Sequence, residues 1–380
     1  MRPASTRRTP ATRPDPLARL VGDPERFGAE VWGRRPQVHR GGDVLPDVLT
    51  LADVDALLAS ATRRPEVRLM RDGEAVDPRS WTSDVRLGGR WVADVVDAAA
   101  VARHLHDGAT VVLQSLHRTV PAVGRFAAAL EQRVSHPVQV NAYLTPPGSA
   151  GLAPHADGHD VLAAQLHGTK DWWVDGLGEV TLGAGDVLYL PTGTRHRAAT
   201  TDRSSLHLTI GIIPVTYRDV VQRLLRRAAP SLDAPLPLGY AAGSGDLEAG
   251  LADALQDAAK ALVDADVAST TELERGRRRP RVRPDGRIAS VAVLDELDAD
   301  SVVRLRAGPP PRRSVDDDGR LRLDLGDRVV HLPAGARAAL DRLLDGAPCR
   351  VGDLPELTPP SRVVVARRLV VEGMLVVEGP

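Results

Sequence analysis

The chain has 380 residues, which is more than one average domain and suits two or three compact units. Hydrophobic residues make up 43% and the formal net charge is -1, so a substantial core can form and no global field favours nucleic acid or an anionic membrane. The sequence contains no run of about 18 apolar residues, so no membrane-spanning helix is predicted. One cysteine, Cys349, excludes an internal disulfide and fits a reducing compartment, so we expect a cytoplasmic protein.

The N-terminal part of the chain predicts a tail followed by short helices. Residues 1–16 are basic, rich in Pro and Thr, and lack the apolar core of a secretory signal, so we predict a disordered tail. Asp23 before Pro24 predicts a helix N-terminus, because an Asp side chain caps free N–H groups and Pro suits the first helical position. Thr50 and Asp53 form a capping-box pattern before a second helix.

The central part of the chain predicts many short strands. Alternating residues 66–70 followed by Asp72-Gly73 indicate a β-hairpin turn, and residues 120–133 carry a helical pattern. Further strands are predicted at 110–113, 138–144, 161–166, 171–174, 180–182, 187–190 and 206–213. Because Gly or Pro turns separate most of them, a jelly roll is favoured.

After Pro214 the pattern becomes helical. Residues 220–225 predict one helix. A second helix is predicted by Leu247, Leu251 and Leu255, which are spaced four residues apart. The stretch from Arg275 to Arg283 is dense in arginine, which is typical of a solvated linker; a patch that docks a partner is the alternative. A hairpin, two helices and a terminal strand, which together resemble a winged helix, are predicted at 321–325, 329–332, 334–344, 361–373 and 374–377.

Three residues are candidate metal ligands. His155 and Asp157 are two residues apart, so on an extended segment both side chains face the same way. His196 follows a glycine turn, a four-residue apolar strand and a Pro-Gly turn, a spacing that matches the second motif of cupin barrels. Two histidines and one carboxylate form a facial triad that leaves three metal positions open. Since no further glutamate ligand follows Asp157, we predict Fe(II) that binds a bidentate 2-oxo acid and O₂.

Three further residues are candidates for binding the cosubstrate 2-oxoglutarate. Lys170 lies at a predicted strand start after a glycine turn, and it is one of only two lysines in an arginine-rich chain. A compact ammonium group there suits the distal carboxylate of the cosubstrate. Asn141 and Tyr143 alternate with an alanine, so both can face the same cavity and offer hydrogen bonds, although packing inside a barrel explains them as well.

The other histidines and tryptophans of this segment have simpler interpretations. His159 is four residues after His155, but the extended context argues against a helical metal pair; contact with substrate is the alternative. We expect structural roles for His167 in a turn and for His207 on the last barrel strand. Trp172 and Trp173 are predicted to be packing residues.

Four motifs together resemble the Jumonji-C ribosomal oxygenases. They are Asn-Ala-Tyr-Leu-Thr-Pro-Pro-Gly from residue 141, Pro-His-x-Asp-x-His-Asp-Val from 154, Gln-Leu-x-Gly-x-Lys-x-Trp from 165 and Gly-Asp-x-Leu-Tyr-x-Pro-x-Gly-x-x-His from 185. The similarity is strongest over residues 108–213. It implies that His155, Asp157 and His196 bind iron, that Lys170 binds the far carboxylate of 2-oxoglutarate, and that Asn141 lies near that cosubstrate.

The resemblance also implies an architecture. In that family a Jumonji-C barrel precedes a helical dimerisation region and a C-terminal winged helix that does not read DNA. We therefore predict a mixed α+β protein whose double-stranded β-helix of the cupin type precedes these two parts, and we expect a homodimer. The predicted boundaries are 1–16 for the tail, 17–215 for the barrel, 216–295 for the helical region and 296–380 for the winged-helix-like domain.

The function that follows is hydroxylation of a histidine or arginine side chain of a ribosomal protein. Two alternatives stay open at this point: the same chemistry on a small molecule or biosynthetic peptide, and a non-catalytic metal-binding cupin. Ala156 and Leu162 occupy positions where bulkier residues are common in the family. This departure leaves the three metal ligands intact but puts the identity of the substrate in doubt.

Overall fold

The computed structural model describes most of the chain in two compact units. The units comprise Met1–Arg278 and Arg279–Pro380. Within them, the described residues are 14–60, 62–149, 153–200, 202–243, 245–277, 286–306, 311–325 and 328–378. Residues 1–13 of the predicted tail and residues 278–283 of the arginine-rich stretch therefore lie outside the described residues.

Short capped elements begin the first unit. They are α1 (Ala18–Val21), α2 (Pro24–Glu30), β1 (Gln37–His39) and α3 (Leu51–Ala59). The Asp23 side chain accepts hydrogen bonds from the N–H groups of Glu25 and Arg26, and Thr50 and Asp53 form a complete capping box. Both predicted helix starts are confirmed, because each supplies acceptors for N–H groups that the first helical turn leaves free.

A hairpin and a second, unpredicted β-ribbon come next. Strands β2 (Val67–Arg71) and β3 (Glu74–Ala75) are joined through Asp72 and Gly73, whose φ angles of 52° and 83° confirm the predicted tight turn. Strands β4 (Thr82–Leu87) and β5 (Arg90–Val96) form the ribbon, and α4 (Ala98–His106) follows it.

The central strands and helices confirm the jelly-roll prediction. The helices are α5 (Leu116–Thr119) and α6 (Pro121–Val134). The strands are β6 (Thr110–Leu113), β7 (Val138–Thr145), β8 (Asp160–His167), β9 (Thr169–Val174), β10 (Gly178–Gly183), β11 (Val187–Leu190), β12 (His196–Ala199) and β13 (Ser205–Ile212). Strand β12 was not predicted. The strands pair into an eight-stranded sheet, in the order β1-β11-β8-β13-β7-β6-β2-β3, and a three-stranded sheet, β10-β9-β12.

Alternation along the strands separates an outer core from the interior of the barrel. One face of the larger sheet packs against α1 to α6 through buried residues such as Val140, Leu162 and Leu208. Residues of the opposite parity, including Val161 and Ala163, join residues of the smaller sheet and β11 in a separate buried cluster. That second cluster identifies the interior face of each strand.

Helices follow the barrel within the first unit. They are α7 (Tyr217–Ala228), α8 (Leu247–Val263) and α9 (Val267–Arg277). A bidentate ion pair between Arg223 and Glu274 connects α7 to α9. The leucine pattern correctly predicted α8, but its apolar residues are largely exposed: Leu251 is 54% and Leu255 is 62% accessible.

The second unit has its own core. Its helices and strands are α10 (Arg287–Ala292), β14 (Val302–Leu305), β15 (Arg312–Val315), β16 (Leu321–Asp324), β17 (Val329–Leu332), α11 (Arg337–Leu344), β18 (Cys349–Arg350), α12 (Pro359–Val371) and β19 (Leu375–Val377). Strands β15, β16 and β17 form an antiparallel sheet, which includes the predicted hairpin, and the two predicted helices are present. Leu340, Leu343, Ala366 and Leu369 are buried between these elements.

None of the helices in the described part of the chain combines the length and the apolar character needed to cross a bilayer.

Candidate metal centre

His155, Asp157 and His196 converge at one end of the smaller sheet. One potential ligand atom from each of the three lies within 4.8 Å of the others. Asp157 Oδ2 is 3.7 Å from His196 Nε2, and the two imidazole centroids are 4.4 Å apart. Two imidazoles and a carboxylate at such separations can bind one divalent ion.

The backbone holds the three residues in register. His155 and His196 form an isolated antiparallel bridge, in which the N–H of each donates to the carbonyl of the other at 3.1 and 2.9 Å. The Gly193 N–H donates to the Asp157 carbonyl at 2.9 Å. The ligand segments are therefore fixed to each other by main-chain hydrogen bonds, independently of any ion.

Hydrogen bonds to the ring nitrogens leave Nε2 of both histidines for a ligand. Nδ1 of His155 lies 2.8 Å from the Ala153 carbonyl, and Nδ1 of His196 lies 3.0 Å from the Thr194 carbonyl. A carbonyl only accepts, so each Nδ1 carries the proton and each Nε2 presents a lone pair. Burial lowers the pKa of His196, which favours the neutral imidazole that metal ions require.

The strand context predicted for the ligands needs correction. His155 lies in the isolated bridge and Asp157 lies outside every strand, so the two are not successive inward residues of one strand. His196 does not end the preceding strand but begins β12. The reason is that pairing with β9 extends the chain beyond the Pro-Gly turn, and local sequence carries no signal for that long-range pairing.

Lys170 is buried in the barrel without a counter-charge. Its side chain is 2% exposed, and its ammonium group donates to Thr145 Oγ1 at 2.9 Å. No ion pair joins it to a carboxylate among the described residues, and burial lowers its pKa to about 7. An isolated buried ammonium group is costly, so this position favours an anionic ligand.

Two polar atoms near Lys170 are also buried without a partner. The side chains of Trp172 and His207 are 5% and 3% exposed, and their rings meet edge to face at 5.5 Å. Neither Trp172 Nε1 nor His207 Nδ1 has a hydrogen-bond partner among the described residues. Burial, with a smaller contribution from the charge of Lys170, holds the pKa of His207 well below its usual range.

Tyr143 and Asn141 both lie on the interior face of β7. Tyr143 pairs with His207 across the sheet, and their rings stack at 5.0 Å. Burial raises the pKa of Tyr143, with Arg68 opposing and the carboxylate of Asp157 adding to the shift. Asn141 Oδ1 accepts from the Ser115 N–H at 2.9 Å, so its carbonyl oxygen is engaged in the fold and its amide nitrogen is available to donate to a ligand.

The remaining aromatic candidates divide between the two faces of the barrel wall. His167 is exposed at the end of β8, in agreement with the predicted turn. Trp173 is 36% exposed and lines an external groove of about 650 Å³ over the smaller sheet, together with Asp171, Glu179 and Arg197. Because these residues alternate with interior ones, the groove lies outside the barrel and does not include the three candidate ligands.

Sequence analysis assigned Trp172 to packing and His207 to a structural role, and it did not identify their buried, unpartnered polar atoms. The alternation of side chains along a strand could have identified Trp172. Lys170 and Trp172 are two residues apart on β9, so both side chains face the interior if one of them does. His207 faces Tyr143 only through the pairing of β13 with β7, which the sequence does not specify.

Comparisons with known proteins agree with this architecture. Residues 112–179 and 175–220 match the family model described as the JmjC domain. Ribosomal oxygenase 1 from Gallus gallus is 30% identical over 233 residues, which cover 54% of this chain and 37% of that protein. A protein of Dictyostelium discoideum named bifunctional lysine-specific demethylase and histidyl-hydroxylase NO66 is 32% identical over 236 residues, covering 54% of this chain and 44% of the relative. The chain thus spans less than half the length of these relatives.

A likeness to solved structures extends over most of the chain. The structure of YcfD, a ribosomal oxygenase from Escherichia coli, aligns with a TM-score of 0.51 and 18% identity, covering 94% of this chain and 98% of that one. A second YcfD structure, in complex with cobalt and succinic acid, aligns with the same TM-score and 17% identity. At these identities the likeness concerns the fold. The chain has a cupin-type fold, residues 112–220 match the JmjC domain, and the resemblance to the ribosomal oxygenases that its motifs predict is confirmed.

Proposed function

We propose that the protein is an Fe(II)- and 2-oxoglutarate-dependent oxygenase that hydroxylates a histidine or arginine side chain of a ribosomal protein. The observation that carries the proposal is the convergence of two imidazole Nε2 atoms and one carboxylate within 4.8 Å, close to a barrel interior that contains a buried, unpaired ammonium group. The names of the relatives, ribosomal oxygenase and histidyl-hydroxylase, support the choice of substrate.

The residues present fit a ferrous ion and a dicarboxylate. His155, Asp157 and His196 would hold the ion, and a donor set with three protein ligands leaves positions for a bidentate 2-oxo acid and O₂. When bound, iron and 2-oxoglutarate supply the oxidising chemistry, with succinate and CO₂ as coproducts. No fourth carboxylate or imidazole joins the cluster in the part of the chain that the structure describes.

The chain's own contribution is to orient and desolvate the cosubstrate. Lys170 would pair with the distal carboxylate, which provides the counter-charge that its buried ammonium lacks. Trp172 Nε1 and His207 Nδ1 would supply hydrogen bonds along the same wall, and the Asn141 amide and the Tyr143 hydroxyl are the further candidates. The carbonyls that hold Nδ1 of His155 and His196 fix both rings in the orientation that exposes Nε2 to the ion.

Turnover of 2-oxoglutarate tests the activity. With Fe(II) and O₂, the wild-type protein should release succinate, and the His155→Ala and Asp157→Ala variants should release it only at background. A non-catalytic metal-binding cupin would give no succinate in any variant. Wild-type rates in the two variants would show that the ligand assignment is wrong.

The mass of ribosomal proteins tests the substrate. One ribosomal protein from the wild-type strain should be heavier by one oxygen atom than its counterpart from a deletion strain, and tandem mass spectrometry should place the oxygen on histidine or arginine. If succinate forms but no ribosomal protein changes in mass, the substrate is of another class, such as a small molecule.

We further propose that residues 216–295 form a dimerisation region and that residues 296–380 form a winged helix that does not read DNA. The exposed apolar side chains of α7, α8 and their connection support a homodimer, since so many exposed apolar groups are unusual on a monomer. They are Tyr217 (93%), Leu238 (97%), Leu251 (54%), Leu255 (62%) and Val263 (84%). The three-stranded hairpin sheet beside α11 and α12 supports the winged helix. A Leu251→Asp/Leu255→Asp variant should sediment as a monomer where the wild type sediments as a dimer.

We also propose that residues 1–16 form a tail and that residues 17–215 form the barrel domain. The proposed location of the protein is the cytoplasm. Expression of the full chain with a C-terminal fluorescent tag, followed by cell fractionation, tests the location. Recovery of the protein in a fraction other than the cytosol would contradict it.

A further inference from the structure

Polar residues follow the interior face of β7 in a line. Thr145, Tyr143, Asn141 and Gln139 are spaced two residues apart, and residues of one parity share a face. Six residues of extended strand span roughly 20 Å, so Thr145 and Gln139 lie at opposite ends of the interior. Lys170 binds Thr145, which identifies that end as the one for the distal carboxylate of the proposed cosubstrate.

The smaller sheet, on the other side of the barrel interior, also runs from Lys170 at one end towards the metal ligands at the other. Along β9 and β12, Lys170 comes first, then Trp172 paired with Ala198, and then Val174 paired with His196. Trp172 contacts both His207 and His196, with ring centroids 5.5 and 5.9 Å apart respectively. The candidate metal ligand His196 therefore lies beyond Trp172, on the side away from Lys170.

A second polar group lies at the far end of this line. Gln139 Nε2 and His159 Nε2 are 2.7 Å apart, and both side chains are half-buried. His159 lies two residues after the candidate ligand Asp157. The Gln139–His159 pair is thus next to the metal centre but at the opposite end of the interior from Lys170.

Gly211 makes room for the pair. It faces Gln139 in the pairing of β13 with β7, and a Cβ atom added to it would lie 3.0 Å from both Gln139 Cγ and His159 Nε2. Its backbone φ lies outside the left-handed region, so the requirement for glycine here is one of space and not of conformation. A residue with a Cβ would force one of the two side chains to shift, so glycine suits their close approach across β13.

One hydrogen-bonding atom of the pair is left without a partner. With the Gln139 amide donating to Nε2, the neutral imidazole of His159 carries its proton on Nδ1. His159 Nδ1 is buried and has no partner among the described residues. A buried N–H donor without an acceptor is costly, which indicates that an acceptor arrives from outside the chain.

We propose that His159, held by Gln139 across Gly211, is a specificity-determining residue that donates a hydrogen bond from Nδ1 to an acceptor oxygen of the protein substrate. The cosubstrate extends from the metal toward Lys170, so the substrate enters from the remaining end, where this pair lies. A peptide carbonyl is the acceptor that any polypeptide presents. The inference rests on the proposed oxygenase function and specifies which residue positions the substrate.

Two isosteric substitutions separate this role from a structural one. In His159→Asn, the amide nitrogen of the new side chain is as many bonds from Cβ as Nδ1 is in histidine, so the proposed donor is retained. In His159→Gln, the amide nitrogen is as many bonds from Cβ as Nε2 is. That variant therefore keeps the contact with Gln139 and loses the donor. His159→Gln should raise the KM for substrate about tenfold, the loss expected for one buried hydrogen bond, while His159→Asn should recover most of it. Gly211→Ala should act like His159→Gln, because the new Cβ displaces the pair.

The probes are ribosomal proteins and a small-molecule extract, both from a deletion strain, added to the full-length protein with Fe(II) and 2-oxoglutarate. Succinate release and hydroxylated product are measured together, and 2-oxoglutarate binding to the Mn(II)-loaded protein is measured separately. His167→Asn and His167→Gln, at the exposed end of β8, are the matched controls and should equal the wild type.

The possible outcomes distinguish a substrate-binding role of His159 from a structural role and from failure of the proposed function. Equal KM values for His159→Gln, His159→Asn and wild type would overturn the role of Nδ1. A loss of 2-oxoglutarate affinity as large as the loss of substrate affinity would show that His159 is structural. If the small-molecule extract stimulates the wild type and the ribosomal proteins do not, the protein substrate and its carbonyl acceptor are rejected. If neither probe stimulates succinate release by the wild type, the proposed function fails and the inference fails with it.

Discussion

Two groups of side chains in the barrel interior differ in their chemistry. The aliphatic group, which includes Val174, Leu182 and Leu188, is inaccessible to solvent. The polar group contains the ammonium of Lys170 and the unpartnered Nδ1 of His207. Trp172 belongs to both, because its ring packs in the aliphatic cluster while its Nε1 is unpartnered.

This difference shows where the fold is stabilised and where stability is lost. Aliphatic burial contributes about 25 cal/mol per Å² removed from water, whereas each unpaired buried donor costs about 1–3 kcal/mol. A sequence selected for stability alone would continue the aliphatic cluster through Lys170 and His207. Their presence indicates a ligand that satisfies them in the working protein.

The largest effect is expected from removing the candidate metal ligand His196, whose ring lies beside Trp172. His196→Ala leaves two candidate ligands and breaks the facial set, so Mn(II) or Fe(II) binding and succinate release should fall to background. Equilibrium dialysis with metal analysis measures the binding, and circular dichroism checks that the fold is retained. Stoichiometric binding of the ion by this variant would contradict the assignment.

In the aliphatic group, a truncation should act on stability. Leu188→Ala should lower the free energy of unfolding by about 2–5 kcal/mol, because it removes transfer energy and leaves a cavity in a closely packed cluster. Chemical denaturation measures the change, with the half-exposed Leu87→Ala as the control that should shift little. Equal losses in the two variants would show that this group is not a close-packed core.

Replacing the buried lysine should separate binding from stability. Lys170→Met should raise the dissociation constant for 2-oxoglutarate at least about tenfold, since a charge-assisted hydrogen bond is lost. Binding to the Mn(II)-loaded protein gives the affinity, and Lys260→Met on α8 is the control. An unchanged dissociation constant would remove Lys170 from the cosubstrate site.

The same variant gives a pH dependence with a defined sign. Burial lowers the pKa of Lys170 from 10.5 to about 7, so in the ligand-free protein this lysine destabilises the fold fully below pH 7. The penalty disappears as the pH rises to 10.5, where the unfolded lysine also becomes neutral. Without ligand, the wild type should therefore gain stability relative to Lys170→Met between pH 7 and 10.5. A difference that stays constant would show that the lysine is solvated.

A smaller effect is expected at Trp172, which belongs to both groups. Trp172→Phe keeps an aromatic ring but removes the unpartnered N–H, so 2-oxoglutarate affinity should fall several-fold with little change in melting temperature. Trp173→Phe, on the outer face of the same strand, is the matched control. If both variants bind alike, internal water and not the cosubstrate satisfies Trp172 Nε1.

Local patterns predicted more of the barrel than of its interior. The spacing of His155, Asp157 and His196 pointed to one site, and the glycine turn before Lys170 placed it at a strand start, because these signals lie within short segments. The strand that begins at His196 and the stacking of Tyr143 on His207 depend on pairing between distant strands. Such pairing is set by tertiary contacts, which propensity and periodicity do not encode.

The central claim is that the three converging side chains bind iron while Lys170 binds the far end of 2-oxoglutarate. A crystal structure of the full chain with Mn(II) and 2-oxoglutarate, using anomalous scattering to locate the metal, tests both parts together. We expect one metal peak coordinated by His155 Nε2, Asp157 and His196 Nε2, with the distal carboxylate on Lys170 Nζ. A metal bound elsewhere, or a carboxylate that points away from Lys170, would contradict it.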